Sequence, residues 1–312
     1  MSVMTEHAPR WYGADEVAAA ITPARARQLI EQALGGDFDP ADDPARFHAP
    51  AGTGHLLLMP STIGEWSGIK VASVGPENPS HGRPRIQATY ILMDALTLTP
   101  QAMIEGSLLT ALRTPAVSAA AVNRLAAPQA CTLLVYGTGP QAWGHIQAMA
   151  EIRDLEQVMV SGRSPEKVQE LIARTRQLGL AARPATEADL GQADIIVCAT
   201  SATDPLFDGS LIKDGAAVVA MGSHEPQFRE LDANLMGRSL IVVEEVDTAL
   251  REAGDLIQAM AENPDLSAES LHTLRDLVRG QIQRATDRPN VFKGTGMSWQ
   301  DLAIAVGVHE TR

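Results

Sequence analysis

The chain has 312 residues, 45% hydrophobic and 20% charged, and carries a formal net charge of −13. It is too long for one compact core and fits two domains, while its acidic balance repels nucleic acid and anionic lipid and excludes both as expected partners. The N-terminus lacks the pattern of a secretory signal, no apolar run reaches the ~18 residues of a membrane span, and Cys131 and Cys198 lack metal-ligand spacing, so a cytoplasmic, metal-free protein with reduced thiols is expected.

Residues 14–35 are predicted helical, with Asp15 and Glu16 in the first turn and Gly35-Gly36 at the end. Residues 36–54, rich in Pro, Asp and Gly, read as a loop. Short apolar runs follow at His55–Met59, Gly68–Val74, Ile86–Met93 and Ala102–Ile104, parted by Pro- and Gly-containing turns. Short strands so closely spaced predict an antiparallel or mixed sheet. An Ala-rich helix is expected from about Ser107 to Ala127. From residue 131 the rhythm changes to CTLLVYG as strand, PQAWGHIQAMAEI as helix, QVMVSG as strand and SPEKVQELIARTRQLG as helix, with further strands in DIIVCAT, AAVVAMG and SLIVVEE. Buried strands alternating with helices predict a parallel, doubly wound sheet. The fold class is therefore α/β, a Rossmann-type domain at 128–289 joined to an α+β domain at 1–127.

Tyr136-Gly137-Thr138-Gly139-Pro140-Gln141-Ala142 follows an apolar strand and opens a helix, matching G-x-G-x-x-A. Gly137 permits the tight turn, Gly139 lets the backbone approach a pyrophosphate, and the small Ala142 lets helix and strand pack closely. The helix start offers N–H groups and a positive dipole end to the phosphates. At the end of the second strand, where an NAD site carries an acid for the ribose 2′-OH, stand Ser161, Gly162, Arg163 and Ser164. A planar cation between two hydroxyls suits a 2′-phosphate, so NADP(H) is expected ahead of NAD(H).

Lys70, one of only four lysines, lies in GIKVASV; Ile69 and Val71 share one face of a strand and Lys70 takes the other, which spacing alone leaves either solvent or interior. Arg113 opens RTPAVSAAAV, where Thr114 and Pro115 are expected to interrupt the helix and bare N–H groups. From spacing alone Arg113 reads equally as a surface residue.

Together LLLMPS, GIKVASVGPENP, ALRTPAVSAAAV, YGTGPQA, SGRSPEK, VCATSATDPLF, GSHEPQFRELD, EAGDL and VFKGTGMSWQDLA resemble the ornithine cyclodeaminase/mu-crystallin family, in its order and near its spacing. The resemblance implies a homodimer built through the first domain, to which residues 290–312 return with a last helix at Trp299–Val306. It implies that Arg46, Lys70 and Arg113 grip a substrate carboxylate, a grouping that fixes the α-carbon at hydride distance. The cofactor site is expected to take in Thr114, Ala199, Thr200, Met221 and Gly222 beside Gly137, Thr138, Gly139, Pro140, Gln141, Ser161, Arg163 and Ser164, with Ser118 near the pocket.

In the cyclodeaminases of that family, an acid stands where this chain has His224, and a glutamate where it has Leu57. Without acids for a cationic tail, the resemblance points to a small cyclic imine. The expected reaction is reduction of Δ1-pyrroline-2-carboxylate or Δ1-piperideine-2-carboxylate, with Lys70 or His224 keeping the ring nitrogen protonated. Cyclodeamination, alanine-dehydrogenase-like deamination and a non-enzymatic, NADPH-dependent binding role are the alternatives.

Overall fold

The computed structural model describes residues 8–311; the first seven residues, read above for a secretory signal, and Arg312 lie outside them. After the short strand β1 (Arg10–Tyr12), the expected first helix is two, α1 (Ala14–Ala20) and α2 (Pro23–Gly35). Pro23 causes the break, because a proline disfavours helical backbone in the residue before it. Ile21 is extended, and the Thr22 hydroxyl accepts from the Arg25 N–H at 3.1 Å. The stretch read as a loop contains β2 (Phe47–Ala51), an exposed edge strand whose Pro50 hides it from propensity arguments.

Next come β3 (Gly54–Ile63), β4 (Trp66–Val74), β5 (Ile86–Asp94), β6 (Pro100–Glu105) and α3 (Gly106–Leu125). The expected interruption at Thr114-Pro115 does not occur: α3 runs on with Pro115 inside it. Proline in a helix interior forfeits a hydrogen bond and costs ~3 kcal/mol, which burial of the run Ala116–Val122 offsets.

The remaining elements are β7 (Thr132–Tyr136), α4 (Pro140–Ala150), β8 (Gln157–Ser161), α5 (Pro165–Gln177), β9 (Ala182–Pro184), β10 (Ile195–Cys198), β11 (Ala217–Ala220), α6 (Ala233–Arg238), β12 (Leu240–Val243), α7 (Val246–Glu252), α8 (Gly254–Glu262), β13 (Leu271–Thr273), α9 (Leu274–Val278), β14 (Asn290–Lys293) and α10 (Ser298–Glu310).

The chain divides into two compact units. One comprises the chain up to Ala33, Asp42–Arg113 and the chain from Met297; the other comprises Leu34–Ala41 and Thr114–Gly296. The division falls inside α3 and at Met297, not at 127 and 290, because β14 is a central strand of the second unit's sheet. In the first unit six strands run β1-β6-β5-β4-β3-β2, antiparallel except for the parallel pair β1/β6. Helix α10 packs across β3, β4 and β5 and is buried along nearly its whole length.

In the second unit eight strands, all parallel, run β13-β12-β14-β11-β10-β7-β8-β9. The four-residue strands β10, β11, β12 and β14 are buried at every position, as strands covered on both faces must be. Among the described residues no helix is long and apolar enough to cross a membrane.

Candidate active site

In the first unit Lys70 lies on β4 opposite Met59 of β3 and Tyr90 of β5, and its side chain is buried, not solvated. Its ammonium donates to Asp301 Oδ2 at 2.7 Å and to Thr110 Oγ1 at 3.1 Å. Arg113, also buried, donates from Nη1 to Gln300 Oε1 at 2.8 Å, and its Nε lies 3.7 Å from the same Asp301 oxygen. Arg46, just ahead of β2 and partly exposed, lies close enough to add to the positive charge felt by Lys70. The structure therefore brings the three expected cations together.

Burial lowers the Lys70 pKa from its ordinary 10.5 to about 8; Arg113 and Arg46 push the same way, against the pull of Asp301. Asp43 accepts from the Trp299 N–H at 3.0 Å, and burial holds its carboxyl up at about 6. Sequence reasoning missed Gln300, Asp301 and Asp43. The signal for the first two was there: adjacent polar residues inside the otherwise apolar helix SWQDLAIAVGV.

In the second unit Gly137 turns with φ +117°, and a Cβ there would lie 2.3 Å from the Ala199 carbonyl oxygen. Gly139 caps α4 in extended backbone, and a Cβ on it would meet nothing within 4 Å. That open space before a helix N-terminus whose N1 residue is Pro140 fits a phosphate group. Thr138, in the same loop, lies against Gly162: a Cβ there would be 2.7 Å from its Cγ2. Ser161 ends β8, Arg163 is exposed, and Ser164 caps α5 by accepting from the Lys167 N–H at 3.4 Å, its own hydroxyl hydrogen left for another acceptor.

Behind the loop, His145 Nδ1 sits 2.7 Å from the Gln141 carbonyl and its Nε2 2.9 Å from Ser118 Oγ. A carbonyl only accepts, so Nδ1 carries the proton and Ser118 donates to Nε2. Burial lowers this imidazole to about 4, so it is neutral near pH 7 and braces α3 and α4. Thr114 is buried at the first position of the second unit.

The loops after β10 and β11 are joined by Glu230, which none of the sequence motifs assigned. Its carboxylate accepts from Thr200 N–H (2.8 Å), Thr200 Oγ1 (2.7 Å) and Gly222 N–H (2.7 Å). Its own N–H and that of Leu231 donate to Asp255, which pairs with the buried Lys293 at 2.9 Å. Lys293 also donates to the Ser223 carbonyl at 2.6 Å. The network fixes Ala199, Thr200, Met221 and Gly222 at the carboxyl ends of parallel strands, where nucleotides bind in such sheets. His224 follows Ser223 and is exposed; Leu57 pairs with His48 and Ala72 in the first unit's sheet.

The model of the ornithine cyclodeaminase/mu-crystallin family matches residues 14–312. A Δ1-pyrroline-2-carboxylate reductase of Bacillus thuringiensis subsp. konkukian is 36% identical over 267 residues, spanning 81% of this chain and 80% of its own. The solved Δ1-pyrroline-2-carboxylate reductase of Thermococcus litoralis, in complex with NADH and L-proline, matches with a TM-score of 0.88 at 26% identity over 97% of each chain. The iminosuccinate reductase of Paracoccus denitrificans, in complex with NAD+, matches with a TM-score of 0.90 at 28% identity over 97% of this chain and 96% of its own.

Proposed function

The chain belongs to the ornithine cyclodeaminase/mu-crystallin family, and from that membership we propose that it reduces a cyclic ketimine carboxylate, Δ1-pyrroline-2-carboxylate or Δ1-piperideine-2-carboxylate, to L-proline or L-pipecolate. The observation that carries this reading is the burial of Lys70 and Arg113 around Asp301, with Arg46 nearby. Lys70 and Arg113 share the Asp301 carboxylate and Arg46 adds to the positive charge on Lys70, a grouping that favours an anionic ligand.

Arg46 and Arg113 hold the substrate carboxylate by charge-assisted hydrogen bonds and so fix C2 and the ring nitrogen. When bound, the reduced dinucleotide supplies a hydride to C2. Lys70 breaks one Nζ–H bond as the ring nitrogen gains its hydrogen, leaving a neutral amine that takes a proton back from water. A lysine near 8 is still mostly protonated at neutral pH, yet gives up its proton more readily than an ordinary one. His224 is the second candidate for this proton; its exposure favours Lys70.

Gly137, Thr138, Gly139, Pro140 and Gln141 cradle the pyrophosphate, and Thr114, Ala199, Thr200, Met221 and Gly222 line the rest of the nucleotide site. Arg163, flanked by Ser161 and Ser164, favours NADPH over NADH, although the two solved relatives hold NADH and NAD+. The protein works as a homodimer through the first unit, where Trp11, Phe47 and Ile86 leave large apolar side chains exposed.

The test is oxidation of NADPH and of NADH with each cyclic imine. Turnover with either imine, faster with NADPH, is expected. Ammonia release from ornithine, or reduction of NAD+ by alanine, without imine reduction would overturn the reading.

A further inference from the structure

Asp301 stands in the first turn of α10, after the N-cap Met297, and is fully buried. Lys70 has two hydrogen-bond partners among the described residues, Asp301 and Thr110. An ammonium has three hydrogens, so one is left for a ligand. The other groups around this pair are charged or titratable from every side. Arg113 approaches from α3, Arg46 from the segment ahead of β2, Tyr90 stands opposite Lys70 on β5, and Asp43 lies near Asp301. Two cations and burial oppose the charge on Lys70, and Asp301 is the carboxylate in contact with it.

We propose that Asp301 is a positioning residue for imine reduction: it keeps the Lys70 ammonium charged and holds it so that the one remaining N–H reaches the substrate nitrogen. The inference rests on the reductase reading for its chemistry, but the charge it assigns to Lys70 is measurable without turnover. In the catalytic step the Lys70 Nζ–H bond breaks and the substrate N–H bond forms. Asp301 then draws a proton from water back onto the neutral amine. Gln300, one residue earlier, holds Arg113 in the same way, so one helical turn orients both cations.

The chain has four lysines, 70, 167, 213 and 293, so the carbon resonances beside each ammonium can be followed by NMR through a pH titration, with Lys70→Arg giving the assignment. The wild-type Lys70 signal is expected to titrate near pH 8. In Asp301→Asn its midpoint falls by about one pH unit or more, as loss of a contacting opposite charge requires. The alkaline limb of kcat/KM for imine reduction falls with it, activity returns at lower pH, and Asp301→Glu restores most of the limb. An unchanged Lys70 midpoint in Asp301→Asn overturns the proposal, as does a midpoint that moves while the limb stays put. Should Asp301→Asn fail to fold, Thr110→Val decides: the carboxylate predicts a Lys70 midpoint close to wild type, and a collapse would assign the holding role to the hydroxyl. If no imine is turned over by the wild type, the reductase reading fails, while the titration still judges Asp301.

Discussion

Two glycines two residues apart in the motif are held for opposite reasons, and alanine substitution separates them. At Gly137 the backbone has φ +117° and a Cβ would sit 2.3 Å from a backbone oxygen that cannot swing away. Strained dihedrals cost of order 1–3 kcal/mol and forced overpacking a similar amount, so Gly137→Ala is expected to destabilise by about 2–6 kcal/mol. With about 2–4 °C per kcal/mol for a unit of this size, the melting midpoint falls by on the order of 10 °C. At Gly139 the backbone is ordinary and the added methyl meets no protein atom within 4 Å. Gly139→Ala should therefore melt within about 0.5 kcal/mol of wild type. Its methyl occupies the space assigned to the pyrophosphate, and losing one charge-assisted hydrogen bond there, worth ~1.5–3 kcal/mol, weakens dinucleotide binding about 10- to 100-fold. Thermal melts of the ligand-free variants, with fluorescence titration of NADPH and NADH, read both quantities. Wild-type affinity in Gly139→Ala would refute the phosphate cradle, and an unshifted melt in Gly137→Ala would refute the strain argument.

Four further outcomes follow from the same geometry. Lys70→Ala should lower kcat by about 10²–10⁴-fold, the usual worth of a positioned proton donor, with dinucleotide affinity unchanged; retained turnover would move the role elsewhere. Arg163→Ala should weaken NADPH and spare NADH, and equal losses for the two in parallel titrations would show that Arg163 does not read the 2′-phosphate. Lys293→Met strands Asp255 and Glu230 as buried acids, and denaturant unfolding should report a loss of ~3–5 kcal/mol. Asp43, raised by burial from 3.8 to about 6, binds more protons folded than unfolded across that window. Stability conferred by its protonated form is therefore complete below 3.8 and lost as pH rises through about 6. Asp43→Asn should remove that fall from a stability–pH curve, and parallel wild-type and variant curves would contradict it.

The second unit was far more legible in sequence than the first. Strands buried on both faces write themselves as unbroken apolar runs, and the glycine loop carries its own backbone logic, so β7, α4, β8, α5, β10, β11 and β12 were readable. The missed strands β1, β9 and β13 have three residues each, too few for any period to show. β14 does not stand out as a strand, since four residues ending in a lysine look like a loop until Asp255 supplies the counter-ion. At the cation cluster, sequence placed the donors and overlooked their partners. Lys70 and Asp301 lie 231 positions apart, and a carboxylate in an apolar helix announces that a partner exists without saying which. Lys70 inside or outside was undecidable from its strand neighbours; α10 covering that face decides it.

The placement of β14 between β11 and β12, followed at once by α10 on the first unit's sheet, has a consequence for how the chain comes off the ribosome. Neither unit holds its finished core when residue 289 has been made, because one lacks an interior strand and the other the helix that buries Lys70. Synthesis from the N-terminus cannot complete one unit before the next begins, and long-range closure of this kind is slow. The half-made chain exposes two unfilled apolar surfaces together, and the single stretch from β14 to α10 seals both.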